Sequence, residues 1–393
     1  MINTSYSTRL IFNALEKTHS GSVKIRIEGQ REEVFGEGPV VAEVFVKSPK
    51  IFRDIALGGD IALAEAIIAG NLKISDEPAF IEWACRNDEN LKRAIHGTFM
   101  GTLFSRIKSF LRPNTIEGAK KNIMAHYDLG NKFYQSWLDP SMSYSSALFY
   151  NPEFKEDFTQ AQMNKYDRII DELEIKPGDH VLEIGCGWGG FFSRAIERTG
   201  CKVTAVMNSP AQASFNRELI ARKHLENHVN LKQIDYREIS GTYDKVVSIE
   251  MIEAVGYQFW PTYFSKVSES LKTKGKALIQ SITIKEDRFD EYRKNPDFIN
   301  TYIFPGGMLL TNEAVRSNAE ARDLMGATPF EFGLSYAETL KRWRDRFRNS
   351  FKNQLLPEFD EKFFRLWHFY LSYCEGAFNA NRINVAHFSL EKK

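Results

Sequence analysis

Residues 181–191 read VLEIGCGWGGF, and this stretch decides the fold. It begins as an apolar strand, reaches an acid at Glu183, and runs into a turn with Gly185, Gly187 and Gly189 before a helical pattern starts. Glycine has no Cβ, so it lets backbone N–H groups approach a ligand closely. The order E-x-G-x-G-x-G differs from the G-x-G-x-x-G fingerprint of dinucleotide-binding folds. The stretch therefore predicts a strand, a ligand-binding turn and a helix.

This glycine-rich turn resembles motif I of the S-adenosylmethionine (SAM) methyltransferases. In that family the loop packs against a nucleoside and an amino-acid tail, so the resemblance implies SAM as the cofactor, with Glu183, Gly185, Gly187 and Gly189 at its site. The alternative is an ordinary tight turn between a strand and a helix, which a lone G-x-G would also fit. The strand before the turn and the elements after it favour the SAM site.

Strands alternate with helices after the turn. Such alternation is typical of a parallel sheet with right-handed crossovers, so the pattern predicts an α/β fold with a Rossmann-like SAM-methyltransferase domain. Helices are expected at residues 211–223 and 261–271. The predicted strands are residues 181–184, 202–206, 230–234, 245–249 and 276–282.

Polar residues follow the predicted strands, where ligands of such sheets bind. Asn208 and Gln212 come after the second strand and suit the hydroxyls of a ribose. Asp235 and Tyr236 come after the third and offer a carboxylate and an aromatic face to an adenine. Residues 250–256 follow the fourth strand and contain two glutamates, one of which should point into the cleft. Each residue alone is typical of a surface turn, but together they predict a cofactor pocket.

Composition sets further bounds. The chain has 393 residues, and its formal net charge of +1 argues against a broad basic face for nucleic acid. Its four cysteines lack C-x-x-C spacing, which disfavours zinc sites and disulfides and suits a reducing cytosol. Residues 1–20 do not resemble a signal peptide, and no apolar run is long enough to span a bilayer. Aromatic residues at helical spacing within residues 363–378 predict either a core or the lining of an acyl channel.

Three regions are predicted along the chain. Residues 1–95 mix strand and helix patterns and predict a small α+β N-terminal domain. Residues 96–122 form an amphipathic basic linker, which suits either a helix on an anionic lipid surface or a helix buried between domains. Residues 123–393 are expected to be the SAM-dependent methyltransferase domain with lipid-binding insertions.

Further motifs narrow the resemblance. Residues 126–131 read HYDLGN, residues 138–147 read LDPSMSYSSA, and residues 302–307 read YIFPGG. These motifs are not general features of Rossmann-like methyltransferases. They resemble the cyclopropane fatty acid synthase family, which includes the mycolic acid methyltransferases. The resemblance covers about residues 120–385, and residues 58–72 resemble the N-terminal domain of the bacterial enzymes.

The resemblance implies a C-methyltransferase that acts on the cis double bond of an unsaturated phospholipid acyl chain. In the family, the π electrons attack the methyl group of SAM, a cation is left on the chain, and a bound bicarbonate removes a proton from the new methyl as the ring closes. An alkene is a poor nucleophile, so positioning and desolvation must lower the barrier. Aromatic faces stabilise a cation in a dry pocket. SAM and bicarbonate are therefore the expected cofactors.

The same resemblance assigns residues to the SAM site. Tyr127, Tyr144 and Ser145 match family positions that contact SAM, and Gln212 matches a glutamine on the ribose side. The glycines of the loop match the family's own.

Other matches concern the bicarbonate. Glu253 matches a carboxylate that holds this ion, Tyr336 matches a tyrosine near it, and Ile282 matches a residue whose backbone contacts it. Three positions depart from the family, and one of them is Ala254, where the family often has histidine. At the other two, the family usually has cysteine and histidine where this chain has Ser146 and Gln280. Both side chains can hydrogen-bond an anion, but glutamine does not titrate near neutral pH as histidine does. We therefore expect an altered base at this site.

The altered base leaves two kinds of product open. The expected product is a cyclopropane fatty acid. If the proton leaves from a neighbouring chain carbon, the product is a methylated alkene, and hydride addition by a reductase partner would give a methyl branch.

Two rival functions also stay open: a SAM methyltransferase for a small soluble acceptor, and a lipid-binding module without activity. The spacing of the first loop disfavours an NAD(P) dehydrogenase. The expected partners are an unsaturated phospholipid at the membrane surface and a second copy of the chain. The expected location is the cytoplasm, peripherally at the inner face of the membrane.

Overall fold

The computed structural model describes residues 6–91, 129–326, 328–353 and 357–393. The predicted linker, residues 96–122, and the predicted SAM contact Tyr127 lie outside the described residues. By its internal contacts the chain divides into two compact units. Unit 1 comprises Met1–Asn122, Pro296–Pro305 and Phe347–Arg382, and unit 2 comprises Ile123–Asn295, Gly306–Arg346 and Ile383–Lys393. Each unit thus combines three separate ranges of the chain, whereas each predicted domain is one continuous range.

The elements below are those of the described residues. The helices are α1 (Tyr6–Leu15), α2 (Lys50–Ile68), α3 (Glu77–Arg86), α4 (Gly130–Gln135), α5 (Phe158–Glu172), α6 (Gly190–Thr199), α7 (Pro210–Lys223), α8 (Trp260–Ser270), α9 (Glu286–Lys294), α10 (Phe298–Tyr302), α11 (Asn312–Glu320), α12 (Gly333–Lys352) and α13 (Glu361–Asn379). The strands are β1 (Gly21–Ile27), β2 (Glu32–Glu37), β3 (Val40–Val46), β4 (Leu72–Ile74), β5 (His180–Ile184), β6 (Lys202–Met207), β7 (Val229–Gln233), β8 (Tyr243–Ile249), β9 (Leu271–Ile284), β10 (Leu324–Gly326), β11 (Phe330–Glu331) and β12 (Ile383–Lys392).

Unit 1 contains a mixed sheet in the order β2-β1-β3-β4. Strand β1 pairs antiparallel with β2 and parallel with β3, and β4 pairs antiparallel with β3. In β1, Val23, Ile25 and Ile27 are buried, whereas Lys24 and Arg26 between them are more exposed. This alternation follows from the two-residue period of a strand with one buried face. The sequence predicted such an α+β unit near the N-terminus.

Helix α13 belongs to unit 1 because its aromatic face packs there. It lies against α2 and α3, and Trp367, Phe369, Tyr370 and Phe378 are buried. The helix starts at the N-cap residue Asp360, whose carboxylate accepts the backbone N–H of Phe363 at 2.7 Å. Of the two interpretations of this aromatic run, the core fits these contacts.

Unit 2 contains a sheet in the order β10-β12-β9-β8-β5-β6-β7, with β11 paired to β12. The pairs β5–β6, β5–β8, β6–β7 and β8–β9 are parallel, and β12 pairs antiparallel with β9. The chain runs outward from β5 to β7 on one side and then returns through β8 to β9 on the other. The topological switch therefore lies between β5 and β8, where a ligand site is expected.

The observed strands agree with the predicted ones, except that β9 begins earlier, at Leu271. Helix α7 begins where Ser209 accepts the backbone N–H of Gln212 at 3.3 Å, with Pro210 as its first residue. Within the described ranges, no helix has both the length and the apolar composition needed to cross a bilayer.

Candidate active site at the carboxyl ends of the parallel strands

The glycine-rich turn links β5 to α6 in a conformation that favours glycine. The φ angles of Gly185, Gly187 and Gly189 are 84°, 51° and 82°. A Cβ at Gly185 would lie 2.8 Å from the Cγ of Met251, so this position has no room for a side chain. A Cβ at Gly187 would meet no described heavy atom within 4 Å. The loop is thus tightly packed on one side and open at Gly187, as a site for a large ligand requires.

Neighbouring side chains hold the loop in place. The indole Nε1 of Trp188 donates to Oδ1 of Asn131 at 2.9 Å, and Nδ2 of Asn216 donates to the carbonyl of Gly187 at 2.9 Å. Glu183 is buried near the end of β5, and burial raises the pKa of its carboxyl well above the usual range. The predicted acid therefore lies inside the protein, directly before the turn. The arrangement fits SAM, because the loop is both preorganised and open on one face.

The other predicted cofactor residues lie at the ends of β6 and β7. Asn208 is exposed directly after β6, and Gln212 is half-buried in the first turn of α7. The carboxylate of Asp235 accepts Nε and Nη2 of Arg237 at 2.7 and 2.8 Å, and this pairing lowers the pKa of Asp235. Tyr236 is half-buried beside it. The structure thus brings these four residues to the edge of the sheet at which the parallel strands end.

Ser145 contacts a buried cation that the sequence did not suggest. Nζ of Lys165 donates to Oγ of Ser145 at 2.5 Å and to Oε1 of Gln162 at 2.7 Å. Lys165 is fully buried on α5, and burial lowers its pKa to about 7. The hydroxyl of Ser145, which the resemblance places at the SAM site, therefore accepts a hydrogen bond from a lysine whose pKa is close to neutral pH.

An aromatic cluster extends from the glycine-rich turn. The ring of Trp188 lies 4.8 Å from that of Tyr134, and the ring of Tyr144 lies 5.4 Å from that of Tyr134 and 5.3 Å from that of Trp343. Trp343 in turn lies 6.1 Å from the ring of Tyr336. We call these five residues, together with Phe133 and Trp137, the aromatic cluster. All of its members except Tyr144 are buried.

Glu250, directly after β8, gathers three of the predicted catalytic residues. Its Oε1 accepts the backbone N–H of Ser146 at 2.8 Å and Nε2 of Gln280 at 2.7 Å, and its Oε2 accepts the hydroxyl of Tyr336 at 2.6 Å. The three donors come from the segment before α5, from β9 and from α12. They converge on one carboxylate, and this makes it the centre of the site.

The hydroxyl and the backbone N–H of Ser146 point to different acceptors. The hydroxyl donates to the carbonyl of Ala147 at 2.8 Å, and only the backbone N–H of Ser146 points to the carboxylate of Glu250. In this structure Ser146 therefore contacts a carboxylate through its backbone N–H, and an anion contact of its hydroxyl stays a prediction.

Glu253 lies one turn beyond Glu250 in a short 3₁₀ helix, Ile252–Ala254. Its Oε1 accepts the backbone N–H of Ile282 at 2.6 Å. Its Oε2 is buried and has no hydrogen-bond partner among the described residues. The structure thus brings Glu253 and Ile282 together, as the resemblance suggested, but it joins them directly.

The two carboxylates differ in their surroundings. Burial and the nearby charge of Glu250 raise the pKa of Glu253 to about 8. Burial also raises the pKa of Glu250, but the hydrogen bonds from Tyr336 and Ser146 and the charge of Lys165 oppose this. When two neighbouring carboxylates have unequal numbers of hydrogen-bond donors, their pKa values move apart, and the one with fewer donors keeps its proton to higher pH. At neutral pH, Glu253 therefore holds its proton. The charge of Glu250 is stabilised by three hydrogen-bond donors at its two oxygens.

Bicarbonate does not fit the described residues. The donors that would bind it at Ser146, Gln280 and Tyr336 already bind Glu250. A second anion would lie against a carboxylate and compete for the same protons, which costs free energy. The site already contains its own anion.

Four residues at the site escaped prediction. Glu250 was one of two glutamates noted after β8, and its positive φ of 48° becomes visible only in the structure. Asn131 stands in the HYDLGN motif, but its bond to Trp188 joins segments far apart in sequence. Lys165 on α5 and His387 on β12 do not belong to any recognised motif. Their contacts with Ser145 and Gln280 join segments that are distant in sequence.

The family is established by comparison with known proteins. A family model described as mycolic acid cyclopropane synthetase matches residues 115–388. The chain belongs to this family. The resemblance drawn from the motifs is thereby confirmed.

Two characterised relatives span most of the chain. Tuberculostearic acid methyltransferase of Mycobacterium tuberculosis is 32% identical over 383 residues, which cover 91% of this chain and 86% of the relative. Cyclopropane-fatty-acyl-phospholipid synthase of Escherichia coli is 30% identical over 361 residues, which cover 88% of this chain and 87% of the relative.

Among solved structures, a mycolic acid cyclopropane synthase in complex with S-adenosylhomocysteine and the detergent CTAB is 28% identical, with a TM-score of 0.64. The similarity covers 69% of this chain and 98% of that one. The predicted α/β methyltransferase fold is thereby confirmed. The protein is a SAM-dependent methyltransferase that acts on lipids.

Proposed function

We propose that this enzyme transfers the methyl group of SAM to a carbon of a cis double bond in an unsaturated phospholipid acyl chain. The two relatives named above support a fatty acyl substrate. The observation that carries the proposal is the aromatic cluster, which connects Trp188 of the glycine-rich turn with Tyr336, whose hydroxyl binds Glu250. The turn at which SAM is expected and the carboxylate of Glu250 are thus linked by aromatic side chains.

Such a connection suits a reaction that passes through a cation. SAM, when bound, supplies a methyl carbon made electrophilic by the sulfonium. The face of an aromatic ring carries the negative side of its quadrupole and attracts positive charge, and Tyr134, Tyr144 and Trp343 bring three such rings together. A packed aromatic site would also exclude the water that traps a carbocation as an alcohol. A soluble acceptor with a nucleophilic nitrogen has no such need for a dry aromatic site.

The expected product is a cyclopropane fatty acid. A ring-free methylated chain is the second candidate, and one observation favours it. The amide of Gln280 and the backbone N–H of Ser146 donate to the carboxylate of Glu250 at the two positions where the family usually has histidine and cysteine. The similarity to a tuberculostearic acid methyltransferase supports the same candidate.

Product analysis decides between the two. Purified enzyme is incubated with SAM and vesicles of a monounsaturated phospholipid, and the released fatty acids are examined by mass spectrometry and proton NMR. A gain of CH₂ with cyclopropane proton signals supports ring closure. The same gain with signals of a branched or exocyclic alkene supports the ring-free product. Transfer to a soluble acceptor without any lipid product contradicts the proposal.

We also propose that the reaction takes place in the cytoplasm at the inner face of the membrane, because its lipid substrate lies in a bilayer and SAM is dissolved in water. Cosedimentation with anionic vesicles checks this, and recovery of the protein only in the supernatant contradicts it. A homodimer, and a reductase partner for a saturated branch, stay predictions.

A further inference from the structure

The carboxylate of Glu250 occupies the place where the resemblance led us to expect bicarbonate. Its three donors are the backbone N–H of Ser146, the amide of Gln280 and the hydroxyl of Tyr336, all within 2.8 Å. These are three of the five residues predicted to form the anion site. The other two, Glu253 and Ile282, bind each other at 2.6 Å.

We propose that Glu250 is the catalytic base of this enzyme and replaces an external bicarbonate. This inference rests on the proposed function, since it names the group that takes the proton after methyl transfer to an alkene.

Other groups at the site are poorly suited to this role. Gln280 does not titrate, and Tyr336 donates its proton to Glu250. Lys165 is directed at Ser145 and Gln162. Glu253 holds its proton at neutral pH, because burial and the charge of Glu250 raise its pKa to about 8. Among the described groups, the carboxylate of Glu250 at the end of β8, whose two oxygens accept three hydrogen bonds, is thus the available proton acceptor.

The backbone holds this carboxylate in an unusual way. Glu250 has a φ of 48°, a left-handed conformation that a residue with a Cβ rarely adopts. Its backbone N–H is paired with the carbonyl of Gln280 at 2.8 Å. Strained residues persist where the surroundings fix them, and they concentrate at functional sites. The strain therefore agrees with a side chain that is positioned for a reaction.

The step balances without any further reagent. The π pair of the alkene forms the bond to the methyl carbon, and the carbon–sulfur bond breaks with its electrons going to sulfur. The adjacent chain carbon becomes a cation. Glu250 takes a proton from the new methyl, so that the C–H pair closes the ring, or from a neighbouring carbon, so that it forms an alkene. The carboxyl of Glu250 then releases its proton to solvent before the next turnover.

The test compares turnover with and without bicarbonate. Purified enzyme, methyl-labelled SAM and unsaturated phospholipid vesicles are assayed in buffer freed of carbon dioxide and in the same buffer with sodium bicarbonate. We expect the two rates to agree within about twofold. A rate that falls more than about tenfold on depletion and recovers with bicarbonate would overturn the proposal, since a tenfold change corresponds to about 1.4 kcal/mol in the barrier. If the enzyme labels no unsaturated lipid under either condition, it is the proposed function that fails.

The variant Glu250→Gln keeps the size of the side chain and removes its basicity. We expect turnover to fall about 100-fold or more, as for loss of a general base, while the affinity for SAM stays within about threefold. If some methyl transfer persists, water should add to the carbocation on the acyl chain. The product would be a methylated alcohol, with a gain of CH₂ and H₂O in the lipid. The matched control is Glu197→Gln, which changes an exposed carboxylate on α6. Wild-type turnover in Glu250→Gln would overturn the proposal.

A second variant covers the case in which Glu250→Gln does not fold. Glycine accepts a φ of 48°, so Glu250→Gly should fold and bind SAM. We expect it to lose turnover and to regain at least about tenfold when sodium formate or bicarbonate is added, with sodium chloride as the control. Wild-type turnover without an added anion, or a loss that neither anion restores in a folded variant that binds SAM, would count against Glu250 as the base.

Discussion

The imidazole Nε2 of His387 lies 2.8 Å from the amide oxygen of Gln280. An amide oxygen only accepts, so Nε2 carries the hydrogen. Burial lowers the pKa of His387 well below its usual range, and the ring is therefore neutral. Strands β12 and β9 place the two residues directly opposite each other. The pair fixes the orientation of the amide, so that Nε2 of Gln280 faces Glu250.

Replacing His387 should therefore disturb the position of the Glu250 carboxylate without touching the substrate. In His387→Phe the ring still packs beside Phe330 and Phe332, but the Gln280 amide can turn its oxygen toward Glu250. We expect kcat to fall about 10-fold, which corresponds to one hydrogen bond of about 1.4 kcal/mol, with SAM affinity unchanged. The acid limb of the pH–rate profile should move to higher pH, because the carboxylate loses a donor.

The control for this variant is His19→Asn, which changes an exposed histidine of unit 1. An unchanged kcat and pH profile in His387→Phe would show that the amide of Gln280 does not depend on His387.

Gly187 offers a test of the SAM loop with a matched control. An alanine at this position would adopt an unfavourable φ of 51° and would place a Cβ on the open face of the loop. Gly200, at the end of α6, has a φ of 70° and equally open surroundings. We expect both alanine variants to lose about 1 kcal/mol of unfolding free energy. Only Gly187→Ala should also weaken SAM binding, by about 10-fold in calorimetry, which is 1.4 kcal/mol. Equal SAM affinities in the two variants would place the cofactor elsewhere.

Much of this site was visible in the sequence. The glycine loop and the polar residues at the strand ends were predicted because each stands directly after a recognisable strand, and the topology of a parallel sheet brings such positions together. What escaped prediction depends on contacts between distant segments. His387 faces Gln280 across an antiparallel pair that no local pattern indicates, and Lys165 meets Ser145 only after α5 has packed.

The choice between the two glutamates shows the same limit. The family resemblance favoured Glu253 and gave Glu250 no role. The structure shows that both lie at the site, and that the predicted donors Gln280 and Tyr336 bind Glu250. A motif records which residue types recur, whereas the pairing of donors and acceptors is decided by geometry.

The hydrogen bond from Tyr336 to Glu250 allows a second test of the proposed base. In Tyr336→Phe the 2.6 Å hydrogen bond to Oε2 of Glu250 is lost, while the ring can keep its place beside Trp343. A hydrogen bond to a charged group contributes about 1.5–3 kcal/mol, so we expect kcat to fall about 10- to 100-fold. The acid limb of the pH–rate profile should again shift upward. A fall in SAM affinity with no change in kcat would instead assign Tyr336 to cofactor binding.

The raised pKa of Glu253 makes a prediction about stability. Its folded-state value of about 8 exceeds that of an unfolded glutamate, so the folded protein holds the extra proton. This contribution is complete below the unfolded pKa and is lost as the pH rises through about 8. The melting temperature of the wild type relative to Glu253→Gln should therefore fall between pH 5 and pH 9. The same difference at both pH values would mean that Glu253 is not protonated in the folded state.

The central claim, that the methyl group of SAM goes to an alkene carbon of a lipid, is tested most directly by carbon NMR. The enzyme is incubated with ¹³C-methyl SAM and with vesicles of monounsaturated or fully saturated phosphatidylethanolamine, and the extracted lipid is examined. The predicted result is one labelled carbon bonded to the acyl chain at the position of the former double bond, with no label in the saturated lipid. Label on the headgroup nitrogen, or equal labelling of both lipids, would contradict it.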